Sequence, residues 1–240
     1  MVMGLVTAPS VQAQAPQIKC SDDVIEVVPV PQSAVVTFRD PRILNGVAAN
    51  ITCDPASGST FAFGETTVTC TAANAAGTDT CTFQVKVLLP RPAKAAVRDE
   101  LQAELAAAQD PKVADFLKRA IASLNNSLAA VLWIDDSHPA LKDGDKVFGF
   151  EADAAKQILS ANALVQGNDL RDLALVLAKV DRVLAQIAIA EAIARGANQN
   201  SINSAMAAFN KADQELAAGA IANAMKDYGV AWKAAVLAQP

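Results

Sequence analysis

Histidine is nearly absent from this 240-residue chain: His138 stands alone. Any site built on two imidazoles is therefore excluded. Basic residues are also in deficit, 20 Lys and Arg against 25 Asp and Glu, for a net charge of −5 at pH 7. A general nucleic-acid binder needs clustered cations to displace counterions, so that class is set aside. No stretch offers the ~20 largely uncharged apolar residues of a membrane span. The most apolar segment, residues 170–194, is interrupted by Arg171, Asp172, Lys179, Asp181, Arg182 and Glu191. There is no G-x-S-x-G, Walker loop or dinucleotide fingerprint. No catalytic residue, enzyme activity or cofactor is expected.

Cysteine is missing from everything after Cys81. What is present, Cys20, Cys53, Cys70 and Cys81, falls in the first third of the chain. An even, clustered set reads as the disulfide framework of one small domain in an oxidising compartment. No pair has the short C-x2-4-C spacing of a structural zinc site. Residues 1–15, MVMGLVTAPSVQAQA, run apolar and then small, with Val11-Gln12-Ala13 before Gln14 resembling a signal-peptidase site. A basic leader is lacking, which leaves a truncated signal or merely an apolar tail; because the cysteines call for export, this segment is expected to be a signal-peptide remnant. The expected location is secreted or cell-surface, with the periplasm as the alternative.

Two grammars follow. Residues 16–88 read as strands: Ile25-Glu26-Val27-Val28, Ala34-Val35-Val36-Thr37-Phe38, Thr66-Thr67-Val68-Thr69-Cys70 and Thr82-Phe83-Gln84-Val85-Lys86-Val87. They are short, rich in β-branched residues and separated by turn signals such as Asn45-Gly46, Ser57-Gly58 and Ala76-Gly77. Leu89-Pro90-Arg91-Pro92 predicts a stiff, extended linker over residues 89–95. Residues 96–240 are Ala-rich and helical. Val97, Leu101 and Leu105 recur at spacing four, and Asp110-Pro111 is a helix start. Trp133 to Phe150 reads as an irregular loop, with Glu151 or Asp153 opening the next helix. Gly167-Asn168-Asp169 precedes a long helix, apolar on nearly all sides, which should be the most surrounded one. Helices over about Gln199–Ala218 and Ile221–Leu237 complete an antiparallel bundle. The expected fold class is multidomain β + α: an antiparallel β-sandwich followed by an all-α antiparallel helical bundle.

The strand-rich part carries a specific pattern. Pro16-Gln17-Ile18-Lys19-Cys20 leads to Asp23-Val24, and Val36-Thr37-Phe38 follows. Ile51-Thr52-Cys53-Asp54-Pro55-Ala56-Ser57-Gly58-Ser59-Thr60-Phe61 then runs into Gly64 and Thr66-Thr67-Val68-Thr69-Cys70-Thr71-Ala72, with Gly77, Cys81-Thr82-Phe83, Val85 and Val87 at the end. Together these resemble the hyalin repeat (HYR) domain. Ser21, Ala62, Asn74 and Thr78 depart from the family's usual residues. The resemblance implies an immunoglobulin-like sandwich, extracellular, adhesive or spacing, without catalytic residues. Four cysteines allow three connectivities. In a sandwich of this type the first and last strands run side by side, which favours Cys20–Cys81, and Cys53 and Cys70 flank the Ser57–Gly64 turn region. Phe38, Phe61, Phe63 and Phe83 are candidate core. The helical part resembles an uncharacterised helical region of bacterial surface proteins, through Trp133-Ile134-Asp135-Asp136, Gly144 and Val147-Phe148.

Charged clusters offer candidate chemistry. Asp135, Asp136, Asp143 and Asp145 lie in one acidic loop with His138 and Glu151, and are calcium candidates by residue type. Their spacing departs from the known calcium loop; Asp143-Gly144-Asp145 reads as a turn and Glu151 as a helix start. No metal is therefore assigned, and His138 reads as a surface loop residue. Arg171, Asp172, Lys179, Asp181 and Arg182 read as a solvated stripe with i,i+4 pairs, or as a polar network inside the bundle. Trp133, Trp232 and Tyr228 read as bundle core or rim, and the rival is a sugar-stacking platform. The function expected is non-catalytic adhesion or protein binding at a bacterial surface, with a protein partner. A glycan-binding accessory module and, behind it, a hydrolase in the helical part are the alternatives.

Overall fold

A computed structural model of the chain describes residues 14–165 and 170–238. Most of the signal-peptide remnant (1–13) and Gly167-Asn168-Asp169 lie outside the described residues. The chain divides into two compact units. The first holds the chain up to Val24 and Ser33–Lys86; the second holds Ile25–Gln32 and everything from Val87 onward.

The strands are β1 (Ile18–Lys19), β2 (Val24–Val27), β3 (Ala34–Val35), β4 (Arg42–Ile43), β5 (Asn50–Asp54), β6 (Thr60–Phe61), β7 (Gly64–Asn74) and β8 (Gly77–Leu88). One sheet has the order β2-β8-β7-β5, and β1-β4 and β3-β6 form two-stranded pairs. The pairs β1-β4, β3-β6 and β5-β7 are antiparallel. Alternation explains the first unit's core: Val68, Cys70 and Ala72 of β7 and Phe83 and Val85 of β8 point inward, with polar residues between them. Phe61 and Phe83 are buried, and Phe38 stands edge-on to both, with ring centroids 6.4 and 4.9 Å away. Phe63, expected in the core, is exposed. The strand has ended at Phe61, and the turn into Gly64 (φ +104°) breaks the inward alternation. Gly58 (φ +84°) and Gly64 both adopt backbone conformations that side chains rarely enter.

The second unit has six helices among the described residues: α1 (Pro90–Ala107), α2 (Pro111–Ser127), α3 (Asp145–Asn162), α4 (Leu170–Ala194), α5 (Gln199–Ala217) and α6 (Ile221–Val236). A β region followed by helices is the order expected. The linker is not: residues 90–95 are the opening turns of α1. First-turn N–H groups need no intrahelical partner, so Pro90 and Pro92 fit there as well as in an extended segment. Asp110 caps α2, accepting from the Lys112 N–H at 2.7 Å, with Pro111 at the first helical position. Helix α3 starts at Asp145, six residues before Glu151, after a turn with Asp143 at φ +67°. Glu151 is therefore inside a helix rather than at its start.

Helix α4 packs against α1, α3, α5 and α6. Small residues permit close approach: Ala174, Ala178 and Ala185 on α4 and Ala224 and Ala231 on α6 are fully buried. Gly229 of α6 is pressed onto Phe148 of α3, where an added Cβ would meet the Phe148 Cβ at 2.8 Å. Ile25 and Val27 join the core of this second unit, and the Val28 N–H donates to the Leu88 carbonyl at 2.9 Å.

Candidate functional site

The most unusual chemistry lies inside the helical unit. Lys94 of α1, Glu151 of α3 and Asp181 of α4 are all fully buried. Each occupies a position on its helix's apolar stripe. Lys94 precedes Val97 and Leu101 by three and seven residues, Glu151 follows Val147 by four, and Asp181 lies between Leu177 and Leu184. Packing three such stripes together drives the three charges to one point. Lys94 Nζ touches Glu151 Oε1, and it lies 3.9 Å from Asp181 Oδ1. Ser127 Oγ, at the end of α2, donates to the same Glu151 Oε1 at 2.5 Å. The Trp133 indole N–H donates to the Ser127 carbonyl at 2.7 Å, and its ring centroid is 4.4 Å from Lys94 Nζ.

Two carboxyls share one ammonium in a space without water's dielectric. Burial, then the neighbouring Glu151, raises the Asp181 carboxyl well above the usual carboxylate range, and Lys94 only partly opposes this. Asp181 thus holds its proton more tightly than an ordinary aspartate. Hydrogen bonding is incomplete: Glu151 Oε2, both Asp181 oxygens and Lys94 Nζ have no hydrogen-bond partner. The contact of Lys94 Nζ with Glu151 is therefore not in hydrogen-bond geometry; the nitrogen lies against the carboxyl group. Burial of unsatisfied polar atoms costs roughly 1–3 kcal/mol each, so such a cluster calls for an explanation.

The solvated-stripe reading fails for Asp181, because α1 and α3 cover its face of α4. Arg182, next to it, makes a two-pronged ion pair with Asp213 of α5 at 2.8 and 3.1 Å. Tyr228 Oη, buried, donates to Asp213 Oδ1 at 2.6 Å. The Arg182 guanidinium holds Asp213 below its usual pKa, ahead of the opposing effect of burial. Lys179 pairs with Glu26 at 3.2 Å.

The acidic loop is dispersed into separate pairs. Asp143 binds Lys146 at 2.9 Å and Asp145 binds Lys233 of α6 at 2.7 Å. Asp136 offers its backbone carbonyl to the Arg91 N–H. Asp135 binds His138 Nδ1 at 2.8 Å. Among the described residues no three His, Cys, Asp or Glu side chains converge in a way that could hold a metal ion. The calcium candidates are therefore not brought together. His138 is more than a loop residue: its Nε2 reaches Glu191 of α4 at 3.0 Å, so the imidazole bridges two carboxylates. Partial burial lowers its pKa, but Asp135 and Glu191 outweigh that and the net shift is upward.

In the first unit the cysteines are joined as Cys20–Cys81 and Cys53–Cys70, with Cα separations of 5.6 and 4.0 Å. Cys53 and Cys70 are directly opposite in the β5-β7 ladder. Asn74 closes the β7-β8 hairpin: its Oδ1 accepts from the Ala76 and Gly77 N–H groups, and its Nδ2 donates to the Gln14 carbonyl at 2.8 Å. An amide serves here where a carboxylate could not, because it donates as well as accepts.

Surface features are modest. Val131, Ile134 and Leu141, exposed by 80, 65 and 72%, lie between α2 and α3. A shallow depression of about 310 Å³ is lined by Arg91, Pro92, Ala95, Arg98, Leu128 and Asp136. Trp133, Trp232 and Tyr228 are buried, and Phe63 is the one aromatic side chain that is well exposed among the described residues. No described helix is long and apolar enough to cross a membrane.

Lys94 and Ser127 are functional candidates that sequence reasoning passed over. The available signal was a lysine, and later a glutamate, in phase with an apolar stripe.

A β region of antiparallel strands tied by two bridges defines a disulfide-bonded module fit for an oxidising, extracellular environment. The HYR domain family model matches residues 11–87, the N-terminal third of the chain. HYR is a non-catalytic, adhesion-type extracellular domain. No curated protein and no solved structure matches the chain.

Proposed function

We propose that this chain is a non-catalytic binding or spacing module of an exported bacterial protein, secreted or held at the cell surface, with a protein partner. The HYR match over residues 11–87, with both disulfides inside it, carries this reading. The sandwich-type unit supplies a rigid, cross-linked base. Val131, Ile134 and Leu141 are the side chains of the helical unit that a protein partner would cover, with affinity set by a few anchors rather than by area. A glycan-binding module needs a line of exposed rings, and Phe63 alone does not make one. A hydrolase needs its perturbed carboxyl to reach a substrate, and Asp181 is fully buried.

The test is protease treatment of intact native cells, with thiol labelling of the recovered chain. Cleavage by added protease and no free thiol are the expected results. Protection from protease with all four cysteines reactive would refute export and the surface role together.

A further inference from the structure

We propose that Lys94 and Glu151 condense into an intramolecular amide bond that ties α1 to α3, with Asp181 as the proton shuttle. The two groups are already in contact. Lys94 Nζ lies against the Glu151 carboxyl without hydrogen-bond alignment, and every group is sealed from solvent. Ser127 Oγ donates to Oε1 at 2.5 Å, where negative charge would develop as nitrogen attacks the carbonyl carbon. The Trp133 indole fixes the Ser127 backbone and covers Lys94 Nζ. Asp181 Oδ1 is 3.9 Å from the nitrogen, and burial with the neighbouring Glu151 raises the pKa of its carboxyl.

The steps balance. The Lys94 ammonium first gives one proton to Glu151 Oε2, leaving a neutral amine and a neutral acid whose carbonyl oxygen is Oε1. Burial favours this transfer, since it removes both charges from a low-dielectric site. The amine lone pair forms the N–Cδ bond, and the carbonyl electrons move onto Oε1. Asp181 takes a proton from the nitrogen through one oxygen and gives its own proton to the departing hydroxyl through the other. The Cδ–O bond breaks and water leaves. The products are a neutral amide, water and Asp181 in its original protonated form. No oxidant or external activator is needed. The buried ion pair disappears, and holding the reactants in one sealed site replaces the activation an amide bond otherwise requires.

The experiment is mass spectrometry of the purified full chain, reduced and denatured. The expected result is a chain lighter by one water, about 18 Da, with a branched tryptic peptide joining the Lys94 and Glu151 segments and no cleavage after Lys94. Separate, unmodified Lys94 and Glu151 peptides would overturn the proposal, as would a branch from Lys94 to Asp181. The D181N variant keeps the shape of a protonated aspartate but cannot shuttle the proton. It should fold, by circular dichroism, and retain the full unbranched mass. Branching of D181N at the wild-type level would overturn the assigned role of Asp181. If D181N does not fold, S127A replaces it, and the branched fraction is expected to fall. An unchanged fraction in S127A would overturn the role of Ser127 at Oε1.

Discussion

The two disulfides close loops of very different length, and that difference predicts an order of stabilisation. Cys20 and Cys81 are 61 residues apart, and Cys53 and Cys70 are 17 apart. Loop-closure entropy gives about 4 kcal/mol for the longer loop and about 3 kcal/mol for the shorter, a gap of about 1 kcal/mol. Simple removal of each pair would blur that gap, because Cys70 is fully buried and its truncation also loses packing. The cleaner perturbation leaves one bridge at a time. In the Cys20→Ala/Cys81→Ala variant, a reductant opens only Cys53–Cys70; in the Cys53→Ala/Cys70→Ala variant it opens only Cys20–Cys81. Each variant is its own packing control. Hydrogen exchange of β7 and β8 peptides against urea reads the first unit directly, because both tryptophans and the tyrosine lie in the second. Opening Cys20–Cys81 should lower the midpoint more. An equal or reversed order would refute the loop-entropy reasoning.

Other expectations are local. Gly229→Ala drives a Cβ into Phe148 and should destabilise the helical unit by about 1–3 kcal/mol in thermal melts followed by tryptophan fluorescence. Gly149→Ala, with nothing within 4 Å, should be neutral or stabilising by up to about 1 kcal/mol in the same assay. His138 is the sole histidine, so its imidazole can be titrated without ambiguity by NMR. Its pKa should lie above 6.5, and Glu191→Gln should bring it down. Because the folded pKa is raised, the stability that His138 contributes is fully present below its unfolded pKa and fades as pH rises through the folded value. Tyr228→Phe removes one hydrogen bond to Asp213 and should lower stability by about 1 kcal/mol in urea melts. A change within error would show that Arg182 alone satisfies that carboxylate.

Much of the architecture was legible because it rests on local rules. Turn residues and β-branched runs marked the strands of the first unit. Asp110-Pro111 marked the start of α2 through its cap. The HYR pattern, spread over dozens of residues, survived mild departures such as Asn74, whose side chain now turns out to close the hairpin. Local rules also misled where two structures share one signature. Pro90 and Pro92 suit an extended linker and a first helical turn equally, and only the packing of α1 in the helical core selects the helix. Phe63 has core chemistry, but its position after the end of β6 turns it out to solvent.

The candidate site divides along the same line. Residue types and periodicity by themselves determined that the first third would be a disulfide-bonded β module and the rest an Ala-rich helical assembly with α4 the most surrounded helix. They also placed Asp181, an ionisable residue, on α4. Whether its carboxyl met water or protein was a nonlocal matter. It depended on α1 and α3 covering that face of α4, which brought together Lys94, Glu151 and Asp181 from positions scattered over most of the helical unit. Tertiary packing alone created the desolvated environment that raises the Asp181 pKa and sets Lys94 against Glu151, because burial is a property of neighbours and not of sequence spacing.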